Sequence, residues 1–401
     1  MKRSFPMNIY YDADHQKWYH NNSDHTFFIF GSDELHPLKY GNKTEKEFTV
    51  TPKKGKIGPL VGILTGCAAD GTYYGNIPLF KNIQMALQAK GGLSFIFCLD
   101  GINDNFIDGS IYHIESETWV DARFPFPDLV YNRMPSRAKE KSRSFQNFVR
   151  ILGNKGIPFF NPSYLNKWEV YQAFKKDKFL SDYLPETRPF QNLDSFQSFL
   201  SEKKRLYAKH RSLSQGNGID LLILGENGAV TCQNVHQKRQ YPSIESCYAD
   251  RKEEWTGQYI LQEAVETEKI NGNKYDFRVL VHYQNKNYIV TGIGVRVSTK
   301  QQITTHTTNG GKRIPFQHLA SPALEKQISN LANACGHQLS KEFDFFGEFS
   351  MDIGKKKTGE LVLFEVNAKP MSFDEIEIEK KRLEHITQLF FEKTNFEGTK
   401  G

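Results

Sequence analysis

Residues 347–370 read GEFSMDIGKKKTGELVLFEVNAKP, and this stretch predicts a β-hairpin. Residues 349–353 alternate apolar and polar side chains, which is the period of a β-strand. Residues 361–366 begin as a continuous apolar run, which is typical of a strand buried on both faces. The polar segment 355–360 between them has the composition of a chain-reversing turn. We therefore expect two paired strands joined by a short turn.

Polar side chains converge at the end of this predicted hairpin. Glu365 and Asn367 are two residues apart and therefore share a face of their strand, and Asp352 can face them from the partner strand. Two carboxylates and an amide supply hard oxygen ligands, which suit Mg²⁺ better than zinc. The alternative from these residues alone is an ordinary hairpin whose polar groups reach solvent.

The composition is that of a globular protein with sizeable cores. The chain has 401 residues, of which 38% are hydrophobic and 13% aromatic. No apolar run reaches the length of a transmembrane helix, and the first ten residues lack the apolar segment of a signal peptide. The net charge of +6 fits an anionic small ligand such as a nucleotide and does not demand a nucleic acid. We expect a cytoplasmic protein with no membrane span.

The cysteines and histidines show no pattern of a metal site. Five cysteines are scattered along the chain without a CxxC pair, and the histidines lack ligand spacing. This pattern favours free thiols in a reducing compartment and argues against zinc.

The composition of the chain changes near Ile57, where longer apolar runs begin. Residues 1–55 are polar and aromatic with short strands, and predict a small β-rich segment. Two strands, 60–64 and 93–99, flank a helix that ends at Gly91, and a third strand follows at 128–133. This β-α-β order implies parallel strands. We place domain boundaries after residues 55 and 160, giving a β-rich segment (1–55), an α/β domain (56–160) and a third domain (161–401).

A lysine precedes a glycine-containing loop in the third domain. Lys209 ends a predicted strand, and the polar loop that follows contains Gly216 and Gly218. Such a loop can bring backbone N–H groups close to phosphate oxygens, and the lysine can neutralise their charge. The spacing is not that of a Walker motif, and a plain glycine-rich hairpin turn remains the alternative.

Further polar residues lie on later predicted strands. The segment 262–266 can present backbone groups to an adenine edge and a carboxylate to a ribose. Asp276 and Arg278 share a strand face, and Arg296 lies near the end of the next strand. An arginine within an apolar strand needs an anion, either a structural carboxylate or a substrate phosphate. Residues 304–311 form a loop suited to close backbone approach.

The order of these features resembles the ATP-grasp superfamily, and more narrowly the YheC/YheD group of endospore coat-associated proteins. The resemblance extends from about Gly58 onward, and its most specific signal is Asp352 followed by Glu365-Val366-Asn367. Further matching residues are Gly62-Ile63-Leu64-Thr65, Phe80, Pro127 to Arg133, Asn161-Pro162, Lys167-Trp168, the 262–265 segment, Asp276-Phe277-Arg278 and Asn309-Gly310-Gly311. It implies an α/β fold of the ATP-grasp type: an α/β pre-ATP-grasp domain followed by a two-lobed ATP-grasp domain with antiparallel sheets.

The resemblance implies roles for individual residues. The phosphates of ATP would contact Lys167 and Lys209 under a flexible loop that includes Gln215, Gly216 and Gly218. The remaining implied residues are Gln262, Glu263, Ala264 and Val265 around adenine, Glu266 near the ribose, Arg278 and Asn309 at the acyl phosphate, and Asp352, Glu365 and Asn367 on Mg²⁺. Lys209 and Arg278 would be the catalytic residues. His210 stands where the family has a proline, which puts the geometry of that corner in question.

The implied activity is ATP- and Mg²⁺-dependent ligation of a carboxylate to an amine through an acyl phosphate. The expected partners are a small-molecule or peptide substrate carrying the carboxylate and an amine acceptor, with no nucleic acid. An association with the spore coat is a further expectation. Two alternatives are a catalytically silent nucleotide-binding structural protein of the spore coat and a phosphotransferase that omits the amine step.

Overall fold

The computed structural model describes residues 5–25, 27–32, 38–41, 46–213, 217–298 and 311–396. The chain divides into two compact units. The first unit is drawn from residues 1–164, 344–347 and 371–401, and the second from residues 165–343 and 348–370. The boundaries predicted after residues 55 and 160 stay a prediction.

The first unit begins with short strands and continues with longer, buried ones. Its strands are β1 (Met7–Asp12), β2 (Lys17–His20), β3 (Phe27–Phe30), β4 (Leu38–Tyr40), β5 (Lys46–Val50), β6 (Lys56–Ile57), β7 (Leu60–Leu64), β8 (Gly66–Cys67), β9 (Tyr73–Tyr74), β10 (Leu93–Phe97), β11 (Ile107–His113), β12 (Thr118–Phe124), β13 (Leu129–Asn132) and β14 (Phe159–Phe160). Its first helices are α1 (Ile77–Gln88), α2 (Arg137–Glu140) and α3 (Arg143–Asn154).

A parallel sheet forms the centre of the first unit. Its order is β12-β11-β10-β7-β13-β14, and the four strands from β10 to β14 run parallel. Helix α1 connects β7 to β10 and buries Phe80, Ile83 and Leu87, the stripe expected of an amphipathic helix. The predicted β-α-β arrangement is therefore confirmed.

The second unit contains antiparallel sheets. Its strands are β15 (Thr187–Pro189), β16 (Arg205–His210), β17 (Ile219–Leu224), β18 (Val230–Gln233), β19 (Lys238–Tyr241), β20 (Tyr259–Glu263), β21 (Lys269–Ile270), β22 (Asn273–Gln284), β23 (Asn287–Ser298), β24 (Gly311–Ile314), β25 (Glu348–Lys355) and β26 (Leu361–Asn367). Its helices are α4 (Lys167–Lys175), α5 (Lys178–Ser181), α6 (Leu193–Lys203), α7 (Ile244–Trp255) and α8 (Pro322–Phe343), and the last helix of the chain, α9 (Ile376–Lys393), belongs to the first unit.

Two sheets organise the second unit. One has the order β15-β20-β16-β17-β18-β19, and the other runs β24-β23-β22-β25-β26 with β21 beside β22. All of the pairs within them are antiparallel. An α/β region followed by two antiparallel sheets is the predicted fold class, which the structure confirms.

The hairpin that opened the sequence analysis is β25 and β26. Asp352 lies opposite Glu365 and Ser350 opposite Asn367, so these polar residues share one face. Phe364 is an extra residue in β26, because the register shifts between Asp352 and Ile353. The apolar start of β26 is buried, as predicted.

Two of the cysteines depart from the sequence prediction. Cys67 and Cys98 form a disulfide, so the expectation that all of the thiols are free is wrong. They lie 31 residues apart in sequence, and parallel pairing of the preceding strands brings them together. Cys232, Cys247 and Cys335 are free and buried. Within the described ranges, no helix is long and apolar enough to cross a membrane.

Candidate functional site

Charged residues collect on one face of the β22–β26 sheet. Asp276 lies opposite Arg296, and Arg278 lies opposite Asp352. Because directly opposite residues of antiparallel strands project from the same face, these four side chains and Glu365 share that face. The face therefore combines the predicted metal ligands with two arginines.

Arg296 bridges two carboxylates of this face. Its Nε lies 2.9 Å from Oδ1 of Asp276, and its Nη2 lies 2.9 Å from Oδ1 of Asp352. The arginine is 5% exposed, and both aspartates are 7% exposed. Burial disfavours the guanidinium charge, but Asp352 and Asp276 outweigh that effect and raise the pKa of Arg296. The sequence left open whether the anion beside Arg296 is a structural carboxylate or a substrate phosphate. In the structure, Arg296 pairs with carboxylates.

Glu365 is paired with the first residue of helix α4. Lys167 Nζ lies 3.2 Å from Glu365 Oε1, and the side chains are 12% and 18% exposed. Asn166 caps the helix by accepting hydrogen bonds from the backbone N–H groups of Trp168 and Glu169. The cap starts the helix at Lys167, whose Nζ also donates to the carbonyl of Leu213. The predicted phosphate lysine thus contacts the predicted metal ligand.

Lys209 is a buried cation at the end of β16. Its Nζ donates to Gln262 Oε1 at 2.5 Å, and Gln262 Nε2 donates in turn to Thr187 Oγ1 at 3.2 Å. Burial, opposed by Glu365 and Asp352 and assisted by Lys167, lowers the pKa of Lys209 to about 8. An anion placed beside Lys209 would raise that pKa.

These residues line two cavities in the second unit. The larger, of about 110 Å³, is lined by Tyr207, Lys209, Ile219, Gln262, Glu263, Val265, Thr267, Lys274, Tyr275, Asp276, Arg296, Asp352, Phe364 and Glu365. The smaller, of about 40 Å³, is mostly apolar and shares Lys209, Gln262, Phe364 and Glu365 with the larger, and Lys167 also lines it. A lining of mostly apolar side chains with a few charged groups is typical of small-molecule sites.

Only part of the segment 262–266 lines the larger cavity. Gln262, Glu263 and Val265 line it, whereas Ala264 and Glu266 are not among its lining residues. The backbone N–H of Ala264 donates to the carbonyl of Arg205, and that of Val265 donates to the carbonyl of Glu263. Both amides are therefore engaged within the chain.

Several predicted site residues lie beyond the cavity walls. Arg278 and Asn367 occupy the charged sheet face without lining either cavity. Gly218 has a φ of +64°, and a side chain there would crowd His210 at 2.8 Å. Gln215, Gly216 and Asn309 lie outside the described residues.

His210, where the resemblance led us to expect a proline, organises the start of the loop. Its Nδ1 accepts hydrogen bonds from the backbone N–H groups of Ser212 at 3.1 Å and Leu213 at 3.2 Å. A proline could not make these bonds, so this corner is held by a side chain.

Sequence reasoning missed several residues that line the larger cavity, among them Tyr207 and Lys274. Lys274 Nζ donates to Tyr207 Oη at 3.0 Å. Strand alternation already placed Asp276 on the face of Arg278, and the same argument applied to Lys274 could have found it.

The residues fit a divalent cation of the hard type. Asp352 and Glu365 are cross-strand neighbours whose charges are met by side-chain cations, Arg296 and Lys167. Carboxylate oxygens at this position match the ligand preference of Mg²⁺. Their present partners also show that the site can hold positive charge.

The fold and this charged cleft between antiparallel strands define an ATP-grasp protein. The sequence profile described as "YheC/D like ATP-grasp" matches residues 156–396, and the chain belongs to this family. The family predicted from the sequence is thereby confirmed.

Two relatives come from Bacillus subtilis (strain 168). The endospore coat-associated protein YheD is 27% identical over 363 residues, which cover 85% of this chain and 79% of YheD. The endospore coat-associated protein YheC is 22% identical over 278 residues, which cover 66% of this chain and 76% of YheC. The solved structure of the D-alanine–D-alanine ligase from Coxiella burnetii has a TM-score of 0.50 at 11% identity, covering 84% of this chain and 97% of the ligase, and shows likeness of fold.

Proposed function

We propose that this protein is an ATP- and Mg²⁺-dependent ligase that joins a carboxylate to an amine through an acyl phosphate. The observation that carries the proposal is the cavity in which Lys209 lies with Asp352 and Glu365, because buried cations beside hard carboxylate ligands suit a metal-bound polyphosphate. Membership of the ATP-grasp family supports it.

The nucleotide would lie along the larger cavity. Val265 and Phe364 provide apolar surface for the base, and the 262–266 segment, including Ala264 and Glu266, would follow the adenine and ribose. Lys167 and Lys209 would neutralise the phosphates, beneath a loop containing Gln215, Gly216 and Gly218. Lys209 would gain most from the phosphates, since its burial already weakens its charge.

Asp352, Glu365 and Asn367 would hold Mg²⁺. The bound ion would neutralise phosphate charge and hold the phosphates in a fixed orientation. Lys167 now pairs with Glu365, and its ammonium could turn from that carboxylate to a phosphate when a metal takes its place. When no metal is bound, the ion pairs with Lys167 and Arg296 would neutralise Glu365 and Asp352.

The chemistry would proceed in two displacements. A substrate carboxylate oxygen attacks the γ-phosphorus of ATP, the bond to the β–γ bridging oxygen breaks, and ADP leaves. An amine nitrogen then attacks the acyl carbon, loses a proton and expels inorganic phosphate, which forms an amide. Arg278 and Asn309 would bind the acyl-phosphate end, where positioning and charge neutralisation carry the catalysis.

The substrates would be a peptide or small molecule with a carboxylate and an amine acceptor. Residues 56–160 would act as the pre-ATP-grasp domain, contributing to the acceptor site, and residues 161–401 as the ATP-grasp domain. The names of the relatives support an association with the spore coat, and a cytoplasmic location remains the expectation from the composition.

A second candidate is a structural spore-coat protein that binds nucleotide without turnover. The coat-associated names of the relatives favour it. Both candidates require the nucleotide site, and only the ligase requires ADP formation.

The proposal is tested by thermal unfolding and by ADP release. A ligand at about 100 times its Kd adds roughly 2.7 kcal/mol to the unfolding free energy, so ATP with Mg²⁺ should raise the Tm of the wild type. Glu365→Gln should abolish the shift, while Glu360→Gln, in the turn of the same hairpin, should keep it. Absence of a wild-type shift at millimolar ATP would reject both candidates.

Turnover is then measured with hydroxylamine as a general amine. Free amino acids and short acidic peptides serve as the carboxylates, and an acyl phosphate would be trapped as a coloured hydroxamate in amounts equal to the ADP released. Nucleotide binding without hydroxamate or ADP across this set would favour the structural protein.

A further inference from the structure

The disulfide of the first unit lies at the edge of its sheet where parallel strands end. Strands β7 and β10 pair in parallel, with Leu64 opposite Phe97. Cys98 directly follows β10, and Cys67 follows β7 after two residues. The carboxyl ends of parallel strands are where open α/β sheets bind ligands. The two sulfurs therefore lie at the edge of the sheet where ligands bind in proteins of this type.

A carboxylate lies close to the two sulfurs. Asp100 lies in a short helical turn, Leu99–Gly101, directly after Cys98. One ligand atom from each of Cys67, Cys98 and Asp100 lies within 4.8 Å of the others. The cysteines are 7% and 8% exposed, whereas Asp100 reaches solvent. Zinc accepts both thiolate sulfur and carboxylate oxygen as ligands, and a site with three protein ligands leaves a fourth position open.

A cavity of about 490 Å³ opens beside these residues and gives access to solvent. Asp108, Asp121 and Tyr73 line it together with the two cysteines and Asp100. The charged residues of its lining are three aspartates (Asp100, Asp108 and Asp121) and one arginine (Arg123), so the lining is net negative. Burial, with smaller contributions from Asp121 and Asp108, raises the pKa of Tyr73 to about 12.

The arginine that lines this cavity already has a carboxylate partner. Arg123 pairs with Asp108 at 3.2 Å and stacks on Phe106, so its charge is directed to that carboxylate. Lys139 donates to the backbone carbonyl of Cys67 and steadies the loop that carries the cysteine. Asp100 and Asp121 remain to attract a cation to the cavity.

We propose that Cys67, Cys98 and Asp100 bind one thiophilic divalent cation, such as Zn²⁺, when the cysteines are reduced, and that the disulfide is the metal-free, oxidised state of the same site. A dithiol reductant transfers two electrons and two protons to the disulfide, giving two thiols and its own disulfide. The thiols then release two protons on binding the cation, whose fourth position is open to water from the cavity. A disulfide oxidant reverses the change: it accepts two electrons from the two metal-bound thiolates and two protons from solvent and leaves as a dithiol, while the Cys67–Cys98 disulfide forms again and the cation is released.

The site is tested with Co²⁺ as a spectroscopic substitute for Zn²⁺. The full-length protein is reduced with a phosphine, freed of reductant under argon and titrated with Co²⁺. We expect one ion per chain and thiolate-to-cobalt absorption in the near ultraviolet, which Zn²⁺ displaces. The disulfide form of the same protein should show neither. Equal absorption in both forms, or none in the reduced protein, would overturn the proposal.

Variants assign the ligands. Cys67→Ser and Cys98→Ser should each lose the charge-transfer band, and Cys232→Ala, which removes a buried thiol of the second unit, should keep it. Asp100→Asn should weaken binding by about tenfold or more while the fold is retained, because the side chain is exposed. Unchanged affinity in Asp100→Asn together with either serine variant would refute the assignment, and the reduced–oxidised comparison needs no variant to fold.

Discussion

Arg296 Nη2 lies 2.9 Å from Asp352 Oδ1, and the same guanidinium binds Asp276. A buried arginine on β23 thus joins a predicted metal ligand on β25 to a carboxylate on the neighbouring strand, β22. The contact has consequences for stability as well as for metal binding, since removal of either charge leaves the other buried and uncompensated.

Replacement of Arg296 by Met should lower the free energy of unfolding by about 3–5 kcal/mol at neutral pH, because two buried carboxylates lose their cation. Mg²⁺ should recover part of that loss, since it would supply the missing charge at Asp352. Urea unfolding with and without Mg²⁺ measures both effects. Arg239→Gln, at an exposed pair, should change stability by less than about 1 kcal/mol and respond to Mg²⁺ no more than the wild type does. A stable, magnesium-insensitive Arg296→Met would contradict the expectation.

Lys209 should make stability depend on alkaline pH. Its pKa is about 8 in the folded protein and 10.5 ordinarily, so between these values the unfolded chain binds more protons. The free energy of unfolding therefore rises with pH from about 8 to 10.5, and below 8 this group adds no pH dependence because it is protonated in both states. Comparison of wild type with Lys209→Met by urea unfolding isolates the effect, and equal slopes in the two proteins would exclude it.

Nucleotide binding should depend on the same lysine. Phosphate favours the charged ammonium, so binding above pH 8 should be accompanied by proton uptake, and affinity should fall as pH rises through 8. Calorimetry at pH 8.5 in two buffers of different ionisation enthalpy measures that uptake. Lys209→Arg should bind without it, whereas uptake of the same size in this variant would assign the proton elsewhere.

His210→Ala should release the start of the loop that follows β16. Loss of the two bonds to Ser212 and Leu213 should cost about 1–2 kcal/mol and accelerate hydrogen exchange at these amides. Hydrogen exchange of peptides spanning 205–213 reports the change. His236→Ala, at an exposed histidine, is the matched control and should leave those peptides as they are.

Reduction of the Cys67–Cys98 disulfide, in the absence of metal, should lower the free energy of unfolding by about 2–4 kcal/mol, because the bond closes a loop of 31 residues. Urea unfolding before and after treatment with phosphine measures the loss. A Cys67→Ala/Cys98→Ala double variant should no longer respond to phosphine, and a persisting response would point to a different origin.

The sequence by itself determined the local elements. The alternation in residues 349–353 and the apolar run at 361–363 predict the hairpin, because side-chain period follows directly from backbone geometry. The face shared by Asp352 and Glu365 followed from the same period, and the bulge at Phe364 preserved it. Helix α1 was equally predictable from its buried stripe.

Only the tertiary structure decided which distant elements meet. Strand β22 pairs with β25, more than sixty residues further along the chain, and this neighbourhood puts Asp352 within reach of Arg296. Parallel pairing of β7 and β10 likewise brings Cys67 to Cys98, a proximity that their spacing along the chain does not indicate. The physical reason is that strand period is a property of neighbouring residues, whereas pairing partners and the burial of charge are chosen by the packing of the whole sheet.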